Sequence, residues 1–264
     1  LSEEVTDLVG RAKRRTRIGE PVAEVKGNVG SVADARTLAE TEASGVGLMR
    51  TELLFLSRST APTLEEQTEL YAGVLKEAPA GEVIFRTLDA GSDKPLPYLG
   101  IGQEENPSLG VRGYRINNID TNILDTQLKA LAQAQEKTGR AVSVMAPMIA
   151  TVSEATEFAN LARELGNFKV GVMVETPSIA ACMPDLEGVV DFISVGTNDL
   201  SQYLFAADRM NPALGLLLNP WQPGLIRTLA RIASEAAAAG ISSGVCGESA
   251  SDPAFAVVLA GLGM

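Results

Sequence analysis

Two carboxylates in the sequence are placed where they could hold a divalent metal ion. Glu175 directly follows the apolar run VGVMV, and Asp199 comes shortly after the apolar run FISV. The two acids are 24 positions apart, a spacing that suits one strand together with the helix that follows it. Mg²⁺ binds few protein oxygens and takes its remaining ligands from water or an anionic substrate, so two carboxylates suit it. The pair therefore predicts a magnesium site.

Two arginines and a cysteine extend this pattern. Arg50 and Arg86 end the apolar runs GVGLM and VIF, and Cys246 follows the run SSGV. A guanidinium fork matches the oxygens of phosphate or carboxylate, and a thiol in a suitable environment can transfer a proton near neutral pH. Together with the carboxylates, these residues indicate a small, multiply anionic ligand with a phosphate, a carboxylate and a carbon atom that is protonated.

Each residue taken alone also has a structural explanation. The segment FISVGTNDLSQY could end a strand in a solvated turn at Asn198-Asp199, a lone arginine after a strand is usually a surface residue, and Cys246 could be a small buried hydrophobe. The functional interpretation depends on the joint pattern, because polar groups follow six of the eight predicted strands. Charges gathered at one end of a sheet oppose one another unless a ligand compensates them.

The elements that position these residues follow an α/β pattern. Runs rich in Val and Ile alternate with amphipathic segments, which is typical of a parallel sheet with intervening helices. Eight strands are predicted, beginning near Val22, Gly45, Glu82, Ser108, Val142, Lys169, Val190 and Ser242. The 264-residue length suits a (β/α)₈ TIM-type barrel, whose active sites form at the carboxyl ends of the strands, and a doubly wound open sheet is the alternative.

The composition narrows the possible functions. The formal net charge is −11, and the one short basic patch, RAKRRTR, is too short to follow a phosphate backbone, so no nucleic-acid partner is predicted. Two cysteines and no histidine make neither a disulfide framework nor a typical zinc site. No apolar run approaches the roughly 20 residues of a membrane span, so a cytoplasmic protein without membrane insertion is expected.

Seven segments of the sequence also carry a family resemblance. They are GVGLMRTELLFL, FRTLDAGSDKPLPYL, ENPSLGVRGYRI, VMAPMIATVSEA, VGVMVETPSIA, DFISVGTNDLSQYLFAADR and GVCGESASD. With them the chain, from about residue 20 onward, closely resembles the C-terminal barrel of the phosphoenolpyruvate-protein phosphotransferase family, Enzyme I of the bacterial sugar phosphotransferase system. That barrel binds phosphoenolpyruvate (PEP). Pyruvate phosphate dikinase and PEP synthase share a related barrel, but the short spacing between the segments is more similar to Enzyme I.

The resemblance implies a role for each matching residue. Arg50 and Arg86 would bind the phosphoryl group with help from Lys94, Glu175 and Asp199 would bind Mg²⁺, and Cys246 would protonate the enolate carbon of departing pyruvate. Arg112 and Glu248 would support the site. The implied substrate-binding residues are Arg50, Arg86, Lys94, Arg112, Asn198, Asp199 and Arg209.

The resemblance also implies partners. The family's phosphoryl acceptor is a histidine on a separate N-terminal domain, and this sequence contains no histidine. Residues 1–20 are therefore expected to be a linker helix from that missing domain, and residues 21–264 a PEP-binding barrel with a truncated C-terminal end. The domain's phosphocarrier protein and a second copy of the chain are further expected partners. Three alternatives stay open: a PEP synthase or dikinase-type barrel, a Mg²⁺-dependent lyase acting through an enolate, and a non-catalytic module that dimerises or senses PEP.

Overall fold

The computed structural model describes residues 23–56, 58–91 and 96–264. Seven strands occur in this part of the chain, and all seven overlap predicted strands. The predicted linker helix over residues 1–20 and the predicted site residue Lys94 lie outside the described residues. The strands are Gly27–Val29 (β1), Val46–Arg50 (β2), Val83–Arg86 (β3), Ser143–Ala146 (β4), Lys169–Val174 (β5), Phe192–Val195 (β6) and Ser242–Val245 (β7).

Helices alternate with these strands, as the α/β pattern predicts. Short 3₁₀ turns at Pro97–Leu99, Pro107–Leu109, Gly113–Asn118, Met183–Leu186, Pro212–Leu214 and Glu248–Ser251 complete the described secondary structure. The helices are Val32–Ala39 (α1), Glu52–Phe55 (α2), Leu64–Glu77 (α3), Thr121–Thr138 (α4), Val152–Leu165 (α5), Pro177–Ala180 (α6), Thr197–Leu204 (α7), Pro223–Ala238 (α8) and Pro253–Leu262 (α9).

The chain divides into two compact units. The N-terminal unit contains Val25–Met148 and Asn160–Val170, and within it β1 pairs with β2, β2 with β3, and β3 with β4, all in parallel. The C-terminal unit contains Ile149–Ala159 and Gly171–Met264, and within it β5 pairs with β6 and β6 with β7, also in parallel. Parallel pairing between strands that alternate with helices confirms the predicted α/β class.

Local sequence signals explain where several helices begin and end. Ser31 caps α1 by accepting a hydrogen bond from the Asp34 backbone N–H. Thr63 and Glu66 form a reciprocal capping box at the start of α3. Asp120 caps α4 by accepting a hydrogen bond from the Asn122 backbone N–H. Capping side chains therefore account for where these three helices begin.

One predicted strand is wrong. The segment near Ser108 forms two 3₁₀ turns, Pro107–Leu109 and Gly113–Asn118, instead of a fourth strand. Gly113 has φ 58°, and a Cβ there would lie 2.9 Å from the Met148 side chain, so the chain turns at a position that suits only glycine. Of the two apolar side chains that suggested a strand, Val111 packs against a cluster that contains Leu88 and Leu99, whereas Leu109 is exposed.

Four strands, β3 to β6, are buried along nearly their whole length. Every residue of β3, β4 and β6 is buried, and so is every residue of β5 after Lys169. Parallel strands covered on both faces have this property, which explains their nearly continuous apolar sequences. Within the described parts of the chain, none of the helices is both long enough and apolar enough to span a membrane.

Candidate functional site

In the N-terminal unit, Arg86 ends β3 inside a cluster of charged side chains. Its Nη2 lies 2.7 Å from Glu52 Oε1, and its Nη1 lies 3.0 Å from Asp89 Oδ2. Arg86, Glu52 and Asp89 are all less than 9% exposed. Ion pairs in a buried setting are strong but costly to assemble, so this arrangement fixes the Arg86 guanidinium at the carboxyl end of its strand.

Arg112 joins the same cluster through Asp89. Its Nη2 donates to both carboxylate oxygens of Asp89, at 3.2 Å and 3.1 Å, and its Nε lies 3.4 Å from Oδ1. The backbone of Gly113, the residue after Arg112, donates to the Ala90 carbonyl. Main-chain and side-chain contacts therefore tie the turn after Arg112 to the segment after β3.

Arg50 stands beside this cluster. It is the last residue of β2 and pairs in register with Arg86 on β3. Unlike Arg86, Arg50 is exposed, and the structure assigns its side chain no ion pair or hydrogen bond with another described residue. The net charge of these side chains is +1, from three arginines (Arg50, Arg86 and Arg112) and two acids (Glu52 and Asp89). An exposed cation beside fixed buried cations is suited to binding an anion.

In the C-terminal unit, Glu175 follows β5 and is 1% exposed. Val174 pairs in register with Val195, so Gly196 lies opposite Glu175. A Cβ at Gly196 would lie 2.6 Å from Glu175 Oε2, which shows that the carboxylate rests against the bare Cα of this glycine. Because Gly196 has no side chain, there is room beside it for the Glu175 carboxylate at the end of β5.

Asn198 and Asp199 do not form the solvated turn considered above. Helix α7 begins at Thr197, directly after β6, so both residues lie in its first turn. Asp199 is 5% exposed, and its Oδ2 lies 3.8 Å from Arg209 Nη1. Asn198 Oδ1 accepts a hydrogen bond from the Glu248 backbone N–H. A carboxylate in the first helical turn is also stabilised by the helix dipole.

Cys246 follows β7 and lies next to β6. Its backbone N–H donates to the Val195 carbonyl at 3.1 Å, and its Sγ lies 3.7 Å from the same oxygen. The side chain is 8% exposed. Nearby, the hydroxyl groups of Thr197 and Ser249 are 2.7 Å apart and hydrogen bonded. The thiol is therefore held at the carboxyl end of its strand, beside the start of α7.

The two carboxylates of this unit are oxygen ligands of the kind that Mg²⁺ prefers. Glu175 and Asp199 follow neighbouring strands, and both are buried at the carboxyl ends. No group of three or more Asp, Glu, Cys or His side chains suited to a metal occurs among the described residues. Two protein carboxylates leave most coordination positions to water and to a bound anion, which is the usual arrangement for Mg²⁺.

The structure therefore groups the predicted site residues within each unit. Sequence reasoning assigned no role to Glu52 or Asp89, although these acids follow Arg50 and Arg86 closely and hold Arg86 in place. The signal that could have identified them was an acid two or three positions after each arginine. The hydroxyl pair of Thr197 and Ser249 was also missed, and its wide sequence separation gave no local signal.

Comparison with known protein families shows which family this chain belongs to. Residues 8–264 match the family described as PEP-utilising enzyme, PEP-binding domain. The chain belongs to this family. The PEP-binding domain of PEP-utilising enzymes is a TIM-like barrel, so the predicted barrel class is confirmed.

Named relatives of this PEP-binding domain are longer proteins. It is 49% identical over 239 residues to a phosphoenolpyruvate-protein phosphotransferase of Streptomyces coelicolor, covering 90% of this chain and 43% of that protein. It is 40% identical over 247 residues to a multiphosphoryl transfer protein of Rhodobacter capsulatus, covering 91% of this chain and 30% of that protein. The chain thus spans less than half the length of these relatives.

Solved structures share the fold at lower sequence identity. An HpcH/HpaI aldolase/citrate lyase family protein from Burkholderia cenocepacia superposes with a TM-score of 0.52. The superposition covers 93% of this chain and 88% of that protein, at 16% identity. The PEP-binding domain therefore has the same fold as that protein.

Proposed function

We propose that this chain binds PEP together with Mg²⁺ and is the donor half of a phosphotransferase, which passes the phosphoryl group to a histidine on a separate domain. The observation that carries the proposal is the pair Arg50 and Arg86, in register at the ends of neighbouring strands. The match to a PEP-binding domain supports the choice of ligand. The names of the Streptomyces and Rhodobacter relatives support the choice of reaction.

The arginines supply charge neutralisation in this proposal. To catalyse phosphoryl transfer, a protein mainly has to position the phosphoryl group and offset the charge that spreads over its oxygens. Arg50 is exposed and available to an incoming anion, whereas Arg86 is oriented by Glu52 and Asp89. We assign phosphoryl binding to these two arginines, with Lys94 assisting and with Arg112 orienting Asp89.

The C-terminal unit supplies the remaining groups. Glu175 and Asp199 would hold Mg²⁺, which offsets substrate charge when it is bound. Asn198 and Arg209 are assigned to the substrate, and Glu248 positions Asn198 through the hydrogen bond from its backbone N–H. Cys246 is assigned as the acid that protonates the enolate carbon. Because that protonation yields stable pyruvate, it favours release of the product.

The complete reaction requires partners. The sequence contains no histidine, so the proposed acceptor is a phosphohistidine domain outside this chain, which would in turn serve a phosphocarrier protein. A cytoplasmic location and a homodimer are part of the same proposal. Sedimentation of the chain with and without PEP tests the dimer, and a concentration-independent monomer mass in both conditions would contradict it.

Calorimetric titration with PEP, in the presence and absence of Mg²⁺, tests donor binding. We expect binding that requires Mg²⁺ and that Glu175→Gln weakens by more than about tenfold, because one of two metal ligands loses its charge. The matched control is Glu187→Gln, which removes an exposed carboxylate from the same unit. Absence of binding with Mg²⁺, or equal binding by the Glu175 variant, would overturn the assignment.

A transfer experiment separates a phosphotransferase from a PEP-sensing module. The chain is mixed with a separately made histidine-bearing domain and PEP labelled in its phosphoryl group. Label should appear on that domain and depend on Glu175. Binding of PEP without any transfer would favour the sensing module, and release of label as free phosphate would favour a hydrolytic activity.

A further inference from the structure

A buried glutamine in the N-terminal unit touches both chain segments that carry the paired arginines. Gln127 lies on α4 and is completely buried. Its Nε2 donates to Thr51 Oγ1 and to the Tyr71 hydroxyl, each at 3.0 Å. Its Oε1 accepts from the Leu88 backbone N–H at 2.9 Å. One side chain therefore makes three hydrogen bonds to three different elements of the unit.

The partners of Gln127 are the sequence neighbours of the cationic cluster. Thr51 stands between Arg50 and Glu52, and Leu88 stands directly before Asp89. Thr51 Oγ1 also donates to the Arg86 carbonyl at 2.9 Å. Gln127 thus joins the segment after β2 to the segment after β3 at the point where each segment presents its charged side chains.

The hydrogen bonds around Gln127 allow one orientation of its amide. The Leu88 backbone N–H can only donate, so the oxygen of Gln127 must face it and the NH₂ group must face the two hydroxyls. The Thr51 hydroxyl donates a hydrogen bond to the Arg86 carbonyl, and the Tyr71 hydroxyl donates to Gln67 Oε1 at 3.0 Å. Every donor has an acceptor, which makes the arrangement rigid.

Tyr71 strengthens the same connection. Burial raises the pKa of Tyr71 above its ordinary value, against a lowering contribution from the hydrogen bond with Gln127, so the hydroxyl stays protonated. Its ring packs edge-on against Phe85, at a centroid distance of 5.4 Å and an angle of 68°. Phe85 directly precedes Arg86 on β3, so Tyr71 constrains the same strand end from its apolar side.

We propose that Gln127 is a positioning residue for the anion-binding arginines, acting through Thr51 and Leu88 to hold the ends of β2 and β3 at a fixed separation. This inference rests on the proposed function, because it assigns PEP phosphoryl binding to Arg50 and Arg86. Gln127 itself is completely buried and is assigned no contact with substrate. Its effect is to keep the two guanidinium groups placed for one phosphoryl group before PEP arrives.

The test compares two glutamines of α4 that make similar contacts in different places. Gln127→Met keeps the length of the side chain and removes its hydrogen bonds. The control is Gln135→Met, because Gln135 Oε1 likewise accepts a backbone N–H bond, from Val142 at 3.0 Å. Val142 directly precedes β4, so the control perturbs the unit without touching the segments that carry the arginines.

Two measurements are made on the full chain and both variants. The first is amide hydrogen exchange, in which Gln127→Met should accelerate exchange at Leu88 by about a hundredfold while Gln135→Met accelerates it only at Val142. The second is calorimetric titration with PEP and Mg²⁺, in which Gln127→Met should weaken binding by about tenfold and Gln135→Met should leave it unchanged. If Gln127→Met does not fold, Thr51→Val replaces it in the titration, where it should likewise weaken PEP binding. Valine keeps the shape of Thr51 but removes its hydrogen bonds with Gln127 and with the Arg86 carbonyl.

The outcomes distinguish this inference from the proposed function. Unchanged exchange at Leu88, or PEP affinity that falls equally in both variants, would overturn the positioning role and leave the proposed function intact. A wild-type chain that does not bind PEP would overturn the proposed function. In that case the exchange rates alone still decide whether Gln127 orders the two segments.

Discussion

Asp89 binds Arg112 through both carboxylate oxygens, with Arg112 Nη2 lying 3.1 Å from Oδ2 and 3.2 Å from Oδ1. The same carboxylate receives Arg86 Nη1 at 3.0 Å. One buried acid thus holds two guanidinium groups that come from separate parts of the N-terminal unit. Removing its charge would leave two buried cations with less compensation, which is more costly than losing an exposed pair.

We therefore expect Asp89→Asn to lower the free energy of unfolding by about 2–4 kcal/mol, because asparagine keeps the shape but not the charge. Urea denaturation measures the change. The control is Asp125→Asn, which breaks the largely exposed pair between Asp125 and Lys129 and should cost less than about 0.5 kcal/mol. Equal losses in the two variants would show that the Asp89 cluster has no special role in stability.

Arg50 should be important for binding but not for folding. It is exposed, with no ion pair assigned to any described residue, so Arg50→Met should change the free energy of unfolding by less than about 0.5 kcal/mol. The same variant should weaken PEP binding by at least about tenfold, because a charge-assisted contact to the phosphoryl group is lost. Calorimetry and urea denaturation on one preparation separate the two effects.

A suitable control for Arg50 is Arg36→Met. Arg36 is exposed and pairs with Glu77 on the surface, and the two residues lie on helices α1 and α3 and not at a strand end. Neither stability nor PEP affinity should change measurably in this variant. A comparable loss of affinity in both variants would indicate that the protein's net charge governs PEP binding. It would contradict a specific role for Arg50.

Glu82 should make stability depend on pH in the acid range. Burial acts to raise the pKa of Glu82, but hydrogen bonds from Lys26, Lys169 and Ser143 outweigh it and lower the pKa to about 2. Because the folded-state pKa lies below the ordinary value of 4.5, the stabilisation is complete above pH 4.5 and disappears as the pH falls toward 2. Partial exposure of these side chains limits the contribution to about 1–2 kcal/mol.

The Glu82→Gln variant tests this dependence. Urea denaturation near neutral pH should give a lower free energy of unfolding for the variant than for the wild type. The difference should shrink steadily between pH 4.5 and 2, where the wild-type carboxylate becomes protonated. Glu136→Gln, at an exposed position on α4, should show no such trend. A difference that stays constant over this pH range would contradict the proposed ion network.

Arg140 should stabilise the end of α3. Its guanidinium donates to the carbonyls of Ala78, Pro79 and Gly81 at 2.9, 2.6 and 2.9 Å, and also to that of Leu75. Carbonyls at a helix end lack partners within the helix, and a cation there interacts favourably with the helix dipole. We expect Arg140→Met to cost about 2–3 kcal/mol, since several charge-assisted bonds are lost together.

Chemical denaturation of Arg140→Met and Arg140→Lys measures this contribution. Lysine has a single ammonium group and cannot reproduce the fork, so it should recover less than half of the loss. Lys137→Met is the control, because Lys137 is exposed and pairs only with the surface acid Glu69 among described residues. Full recovery by lysine would show that charge alone, and not the geometry of the fork, stabilises the helix end.

The sequence predicted the strand ends well because short apolar runs mark parallel strands that are buried on both faces. Arg50, Arg86 and Glu175 could therefore be placed at the carboxyl ends of strands from the sequence alone. The failure near Ser108 arose because a short segment with two apolar residues looks like a strand, although Val111 packs against an apolar cluster and Leu109 is exposed. The ion pairs of Asp89 depend on tertiary contacts, which periodicity does not encode. The prediction that residues of both units act on one ligand stays a prediction.

Gln127 illustrates a signal that was present but not used. It occupies the apolar stripe of α4 with Leu124, Leu128 and Leu131. A polar residue in such a stripe must find buried partners, because an unsatisfied buried amide is destabilising. The sequence could therefore have shown that Gln127 has a specific partner. It could not have shown that the partners are Thr51 and Leu88, which lie 76 and 39 positions away.

The two cysteines provide a test of the proposed proton transfer. Cys246 is buried at the carboxyl end of β7, whereas Cys182 is partly exposed before a 3₁₀ turn. If Cys246 protonates the enolate carbon, Cys246→Ala should bind PEP with Mg²⁺ as the wild type does. Its transfer of label to a histidine-bearing domain should slow by at least about a hundredfold, because a general acid is lost. Cys182→Ala should transfer label at the wild-type rate. Equal transfer by both variants would show that another group supplies the proton, and weakened PEP binding by Cys246→Ala would instead show that the thiol contributes to the shape of the binding site.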